Sequence, residues 1–404
     1  MDDSLIQAMA VLIRTIDDRG GECPVGTPAD NARGQVVQRR VVEGEAVQED
    51  VVEDEVVQGT VPEDNIPRNA PDTRARYAIA LSGGPDSSAM AICAARLAPQ
   101  IQAEIKLFHV HHGLLPEADQ WLLQIRELAR ILSLDLVVQH VTVDLKQGLG
   151  LEASARQARH AALQQMARQH RSQAVLFAHH LQDQAETVLQ RLLRGSGVLG
   201  LGAMRAAVRK QDCWWLRPWL GVSRSRILQC IEAFETTTGW SPVQDPTNLD
   251  PSLGRGVIRG QLASAIETHW PGWATNLARH AQQAQQAQEL LGEYAQMLLK
   301  QIAEARPGDH GMDNERAGVL RAGHQPEALD LQKWRLLTPA QQSLTLRTWL
   351  SMSQVQMPSE KRLAELCRQL NQVHALGHDR QLHWHQAGCD VRCVRGKIHL
   401  QVTI

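Results

Sequence analysis

Tyr77-Ala-Ile-Ala-Leu81-Ser82-Gly83-Gly84-Pro85-Asp86-Ser87 decides the fold. A short apolar run enters a Ser-Gly-Gly-x-Asp-Ser turn, and a helical pattern then continues to about residue 96. Strand, glycine turn and helix in that order make a device for holding pyrophosphate. Glycines reach backbone angles closed to other residues and let the main chain approach an anion closely. Their N–H groups and the first turn of the helix then point at the bound charge. Ser82 and Ser87 add hydroxyl donors, while Asp86 is placed to cap the helix and to reach a Mg²⁺ bridging the phosphates. The turn lacks the Gly-Lys-Ser/Thr ending of P-loop kinases and GTPases, which argues against γ-phosphate transfer and for expulsion of pyrophosphate from ATP. A tight turn with an Asp cap and no ligand is the plain alternative.

Outward from this turn, short apolar runs alternate with amphipathic helical stretches. Strands are expected at 106–110, 134–138 and 174–178, and helices at 117–132, 152–169 and 183–193. That alternation predicts an α/β fold: a parallel, Rossmann-like sheet with helices on both faces and its ligand beyond the carboxyl ends of the strands. Past Ser223 the pattern is mostly helical, with an Ala/Gln-rich helix over 276–305, a break at 306–311 and two further helices over 339–351 and 359–370. Strand-like runs at 380–384, 390–394 and 397–402 close the chain. The expected domains are therefore 76–245 for nucleotide chemistry, 246–310 as a helical linker region and 311–404 as a small C-terminal α+β domain. Residues 1–75 read as one amphipathic helix, with Leu5, Ile6, Met9, Leu12, Ile13 and Ile16 on its apolar face, followed by an acidic, low-complexity insertion without fixed structure.

That insertion shapes the charge balance. Residues 41–72 hold ten acids against Arg68 alone, a net of −9, so with −2 for the whole chain the remainder carries +7. An arginine-rich body of that sign suits an anionic partner such as RNA, although charge alone does not establish one. Seven dispersed cysteines (Cys23, Cys93, Cys213, Cys230, Cys367, Cys389, Cys393) do not resemble a disulfide framework. The N-terminus lacks a secretory pattern, and no run approaches the roughly 20 apolar residues of a membrane helix. The expectation is a cytoplasmic protein without membrane contact.

Four further segments follow the loop in order: His109-Val-His-His-Gly-Leu-Leu115; Leu151-Glu-Ala-Ser-Ala-Arg-Gln-Ala-Arg159; His180-Leu-Gln-Asp-Gln-Ala-Glu-Thr187, running on to Leu193-Arg-Gly-Ser-Gly197; and Trp240-Ser-Pro-Val-Gln-Asp-Pro-Thr-Asn248, with Arg255 and Arg259 after it. Together with the loop they resemble the PP-loop ATPases and, among these, the tRNA(Ile)-lysidine synthetase family, closely over 77–271 and loosely to about 400. The resemblance implies ATP-dependent adenylation of the wobble cytidine of the CAU-anticodon isoleucine tRNA, with loss of pyrophosphate. Free lysine then displaces AMP, and the product, lysidine, switches the tRNA from methionine to isoleucine decoding. ATP, Mg²⁺, that tRNA and lysine are the implied partners, and the resemblance leaves room for a homodimer.

Carried onto this sequence, the loop residues Ser82, Gly83, Gly84, Pro85, Asp86 and Ser87 would hold the nucleotide with His180 beside it. Asp183 and Glu186, three apart on one helical turn, would hold Mg²⁺ or orient the lysine ammonium, with Asp86 and Asp183 as the metal ligands. Arg156 and Arg159 would grip phosphate or the activated intermediate. Arg194, Arg217, Arg224, Arg226, Arg255 and Arg259 are candidates for the tRNA backbone. By spacing alone, each of these is equally a solvated helix carboxylate or a surface arginine. Trp214, Trp215, Trp219 and Trp240 fit core packing better than base stacking. The pairs His111/His112 and His179/His180 lack the compact further ligands of a zinc site.

The chain departs from the family pattern at Gln182, where a second aspartate is common, at Gly256 in place of asparagine, and at His160 in place of tyrosine. It also stops before the second C-terminal domain of longer members. The rival readings are a PP-loop tRNA thiolase, for which only the Cys389/Cys393 pair offers thiols, and a catalytically silent tRNA-binding protein.

Overall fold

The structure, a computed structural model, describes residues 3–17, 74–113, 116–143, 150–244, 254–303, 326–353, 355, 357–373, 382–386 and 388–402. The acidic insertion, Cys23 and the Asp245–Asn248 part of the fourth family segment lie outside them. The chain divides into two compact units, Met1–Ala281 and Gln282–Ile404. That division falls inside the stretch suggested as a helical linker.

The first unit contains α1 (Asp3–Asp17), β1 (Arg76–Ala80), α2 (Pro85–Ile101), β2 (Glu104–His111), α3 (Ala118–Leu132), β3 (Asp135–His140), α4 (Leu151–Gln169), β4 (Ala174–Leu176) and α5 (Leu181–Leu193). After these come α6 (Val198–Leu201), β5 (Ala207–Lys210), β6 (Cys213–Leu216), α7 (Arg224–Thr238), α8 (Gly254–Val257), a π-turn over Ile258–Leu262, and α9 (Ala263–His269). The strands form one sheet in the order β3-β2-β1-β4-β6-β5. All neighbours are parallel except β5 and β6, which form an antiparallel edge hairpin. The sequence reading gave a purely parallel sheet and missed this hairpin. Its turn, Gln211-Asp212, places a non-glycine residue at φ 53°, without the Asn-Gly or Asp-Gly signal that marks such turns.

Side chains alternate across the strands, so the sheet buries two different faces. Tyr77, Ile79, Leu81, Leu107, Leu176 and Leu216 pack with α1, α2, α3 and α7. Ala78, Phe108, Val175, Phe177 and Trp215 pack instead with Ala162, Leu163 and Met166 of α4. Every residue from Ser87 to Ala94 is buried; these small side chains let α2 lie close to the sheet, α1 and α7. The α1 helix is pinned by the Tyr77 hydroxyl, which donates to Asp17 at 2.8 Å, and by Trp219 Nε1, which donates to the Leu5 carbonyl at 3.1 Å. Trp214, Trp215, Trp219 and Trp240 are all buried, in accord with core packing.

The long α10 (Trp273–Ile302) follows, and the second unit adds β7 (Ala328–Asp330), α11 (Leu331–Arg335), α12 (Pro339–Met352), α13 (Glu360–Gln372), β8 (Leu382–Gln386), β9 (Cys389–Val394) and β10 (Lys397–Val402). Its antiparallel sheet has the order β7-β10-β9-β8. Trp334, Trp349, Leu366, Trp384 and Ile398 form its own core with Leu299 and Ile302. Among the described residues, no helix is long and apolar enough to cross a membrane.

Candidate active site

The loop leaves β1 at the carboxyl edge of the sheet and becomes α2 at Pro85, which occupies the first helical turn behind an extended Gly84. Gly83 sits at φ +91°, and a Cβ there would meet Ile125 at 2.9 Å and Val243 at 3.0 Å, so both backbone angle and space demand glycine. Its carbonyl accepts from Val243 N at 3.0 Å and from Ser88 Oγ at 3.1 Å. The Ser82 amide donates to Ser87 Oγ at 3.1 Å, and the two hydroxyls lie 3.0 Å apart. Beneath the turn, His109 Nδ1 lies 2.9 Å from the Leu81 carbonyl. This support was not assigned from the sequence, where His109 appeared only within a segment.

A second turn at the same edge brings the acidic pair in. The chain leaves β4 through His179 to His180, the N-cap of α5. The His180 amide donates to Asp183 Oδ2 at 3.1 Å, and Asp183 N donates to His180 Nδ1 at 3.4 Å. Nδ1 acts as the acceptor here, which leaves Nε2 as the ring's donor nitrogen. That nitrogen lies 3.4 Å from Asp183 Oδ2 and 3.9 Å from Asp86 Oδ1. One buried imidazole therefore lies between the phosphate loop and the acidic helix.

Arg259, from the π-turn 73 residues beyond Glu186, completes the cluster. Its NH2 donates to Asp183 at 2.6 Å and its Nε to Glu186 at 2.7 Å. Arg255 donates to the Thr187 hydroxyl at 3.1 Å and places its Nε 3.9 Å from Glu186 Oε2, an oxygen that is buried with no hydrogen-bond partner. Burial opposes charge on Asp183, but His180, His179, Arg255 and Arg259 outweigh it and hold the carboxyl below its ordinary value. For Arg259, burial works against the cation, yet its bonds to Glu186 and the nearby carboxylates raise its pKa.

The expected site residues thus fall into three groups. Ser82 to Ser87, His180, Asp183 and Glu186 come together. Arg255 and Arg259, taken from the sequence as tRNA contacts, have their guanidinium groups committed to the acidic pair, because the π-turn folds back over α5. Arg224 is likewise drawn inward: its Nε lies 3.4 Å from Asp86 and its amide donates to Gln182 Oε1 at 3.0 Å. Gln182, the departure that removes a carboxylate, thereby anchors the start of α7. Arg217 is also no open surface residue; its guanidinium lies 5.6 Å from the Phe177 ring centroid. Arg156 is exposed on α4 and Arg159 half-buried one turn on, whereas Arg194, exposed at the end of α5, stands apart from the cluster. Cys389 and Cys393 are buried in β9, and burial pushes both thiols up, which suits packing rather than nucleophilic chemistry.

Two carboxylates near a phosphate loop fit Mg²⁺, which keeps several waters and takes phosphate oxygens as its remaining ligands. Among the described residues no cluster of three or more His, Cys, Asp or Glu side chains is arranged to hold a metal.

Two family descriptions match the chain: a PP-loop domain over residues 60–266 and a TilS substrate binding domain over 329–399. With the loop and sheet described above, these define an ATP-using ligase of the PP-loop class. A tRNA(Ile)-lysidine synthase from Bordetella pertussis is 46% identical over 324 residues, covering 80% of this chain and 95% of that one. Another from Ralstonia nicotianae is 36% identical over 302 residues, covering 74% and 60%. The chain belongs to the tRNA(Ile)-lysidine synthase family. Among solved structures, the U34-tRNA thiolase NcsA from Methanococcus maripaludis with its [4Fe-4S] cluster matches 52% of this chain and 71% of that one, at 16% identity and a TM-score of 0.45.

Proposed function

We propose that the enzyme joins lysine to carbon 2 of the wobble cytidine in the CAU-anticodon isoleucine tRNA. The cytosine O2 attacks the α-phosphorus of ATP, an O–P bond forms, and the bond to the departing pyrophosphate breaks. The lysine amine, having given up a proton from its ammonium form, then attacks C2, and the C2–O bond breaks to release AMP. A neutral cytosine oxygen is a weak nucleophile, so the first step depends on positioning and on neutralising charge at the phosphates.

The loop amides and the hydroxyls of Ser82 and Ser87 bind the leaving pyrophosphate. Asp86 and Asp183 would hold Mg²⁺, which would supply charge neutralisation at the phosphates. Asp183 and Glu186 attract the lysine ammonium, and Arg259 keeps both carboxylates aimed. Arg156 and Arg159 are the cations that would meet the charge developing at the α-phosphate. One observation supports the reading most: His180 Nε2 lies 3.9 Å from Asp86 Oδ1 and 3.4 Å from Asp183 Oδ2, so the pyrophosphate loop and the acidic pair are neighbours. Such a site has a place for the anionic leaving group and a place for a cationic acceptor.

Incubation with ATP, Mg²⁺, labelled lysine and bulk tRNA tests this. The label is expected in one modified nucleoside of the CAU-anticodon tRNA, and Asp86→Ala is expected to abolish pyrophosphate release while its thermal melt stays that of the wild type. No incorporation into that tRNA, or full activity in the variant, overturns the assignment.

A further inference from the structure

Around His160 the first unit gathers positive charge that the phosphate loop does not use. The His160 ring packs edge-on against Trp215, with centroids 4.8 Å apart and planes at 87°. Arg156 and Arg159 precede it on α4, Arg217 follows β6, and Lys210 at the end of β5 lays its ammonium 4.0 Å from the Trp215 ring centroid. Burial first, and then the fields of Arg156, Lys210, Arg159 and Arg217, push the imidazole down to about 3. The ring is therefore neutral at physiological pH, as its crowded cationic setting requires.

Among the described residues, no carboxylate forms an ion pair with Arg159, Arg217 or Lys210. One NH of Arg217 donates to the Arg205 carbonyl at 3.0 Å, but its Nε is buried without a partner. Arg159 Nε is in the same condition, and so are Nδ1 of His112 and Nδ1 of His179. The neighbouring charges that act on Arg217, Arg159 and Lys210 are themselves positive: Arg156 on Arg217, Arg156 and Arg255 on Arg159, Arg217 and Arg156 on Lys210. Burial, the largest influence, lowers all three, Arg217 to about 10. Native proteins rarely leave buried donors unpaired, and desolvated like charges repel unless an anion joins them.

The place of this cluster distinguishes it from the loop. The α4 helix starts at the carboxyl edge of the sheet, and β1, β4 and β6 run parallel, so Arg217 and His179 lie beyond the same edge as the loop. The α4 helix covers the opposite face from α2. In the order β1-β4-β6, Arg217 leaves a strand two removed from that of the loop, roughly 10 Å across the sheet. We infer that Arg217 and Lys210, beside His160, form a second anion recess that takes a phosphodiester of the RNA chain beside the reacting nucleotide. The inference rests on the proposed function. The cytosine itself is neutral, the loop already supplies donors for pyrophosphate, and Arg156 and Arg159 are proposed for the α-phosphate, so Arg217 and Lys210 serve the remaining anion, the backbone that positions the base.

Arg217→Met, Lys210→Met and the charge-keeping Arg217→Lys, each in the full chain, test this by two binding measurements that need no turnover. One is the affinity for a CAU anticodon stem-loop across a salt series; the other is the affinity for Mg²⁺-ATP. Each Met variant is expected to weaken stem-loop binding by about tenfold and to reduce the slope of log affinity against log salt by about one. ATP affinity and the slope in Arg217→Lys are expected to stay at wild-type values. Removing an unpaired buried charge is expected to leave the melting temperature unchanged or raise it, where a structural arginine would lower it. Weakened ATP binding with intact RNA binding assigns the recess to the nucleotide and overturns the inference, as does no change in either. Because binding is read without catalysis, absence of lysine incorporation by the wild type overturns only the proposed function.

Discussion

Arg259 bonds two buried carboxylates at 2.6 and 2.7 Å and so fixes how Asp183 and Glu186 are presented before a substrate arrives. The three-residue spacing of the acids is legible in the sequence; their partner is not, because only the fold brings residue 259 to residue 186. His160 makes the same point from the other side. As a replacement for tyrosine it looks like a loss, yet it is a neutral ring inside a cationic cluster. Its pKa falls from 6.5 in the unfolded chain to about 3 in the fold, so the unfolded state takes up a proton first as pH drops. The stability it contributes is full above pH 6.5 and is lost progressively as pH falls toward 3. His179, also lowered to about 3, first by burial, adds to the same slope. Urea unfolding of His160→Phe between pH 7 and 4 is expected to show a smaller loss of stability than the wild type. Equal losses in the two proteins would mean that His160 does not titrate in this way.

The start of α5 shows why an element and a site are hard to separate. Asp183 is a member of the capping box with His180 and also a carboxylate of the proposed site. Substitutions should divide these roles. Asp183→Asn keeps an oxygen for the His180 amide and is expected to fold with near wild-type stability while pyrophosphate release is lost. Asp183→Ala is expected to lose the activity and about 1 kcal/mol more stability than Asn, the usual value of a helix cap. Chemical denaturation of the pair measures the difference, and equal stabilities would show that the box contributes nothing. The strands and helices up to α5 were readable because each carries its own periodicity and its own glycine or polar stop. The β5–β6 hairpin was not: Cys-Trp-Trp-Leu is buried at every position and so shows no alternation to mark it as a strand.

Among the described residues each unit has its own core: clusters on both faces of the parallel sheet in the first, and one cluster on the small antiparallel sheet in the second. Trp349 lies at the centre of the second, fully buried, with its indole N–H donating to the Pro326 carbonyl at 2.9 Å. Trp349→Ala is expected to cost that unit about 3–5 kcal/mol while leaving Mg²⁺-ATP affinity unchanged, since the loop belongs to the first unit. A loss of ATP affinity in parallel with stability would show that the units do not fold as separate cores. The division between the units within α10 was not visible in the sequence, where an unbroken Ala/Gln-rich helical pattern runs through it.

By itself the sequence determined the α/β class, the phosphate loop and the family, and it supplied the residues of the proposed site, because each is written in contiguous residues and short-range spacing. Only the tertiary structure decided that Arg255 and Arg259 serve the acidic pair, that Gln182 anchors Arg224, and that Arg217, Lys210 and Arg159 converge on His160. Those arrangements join residues tens of positions apart, and the Coulomb and desolvation energies that define them exist only after the sheet has brought them together. The loop from Ser82 to Ser87 needed no such help: its glycine angles, hydroxyls and helix start are local, and the fold adds only the neighbours it acts with.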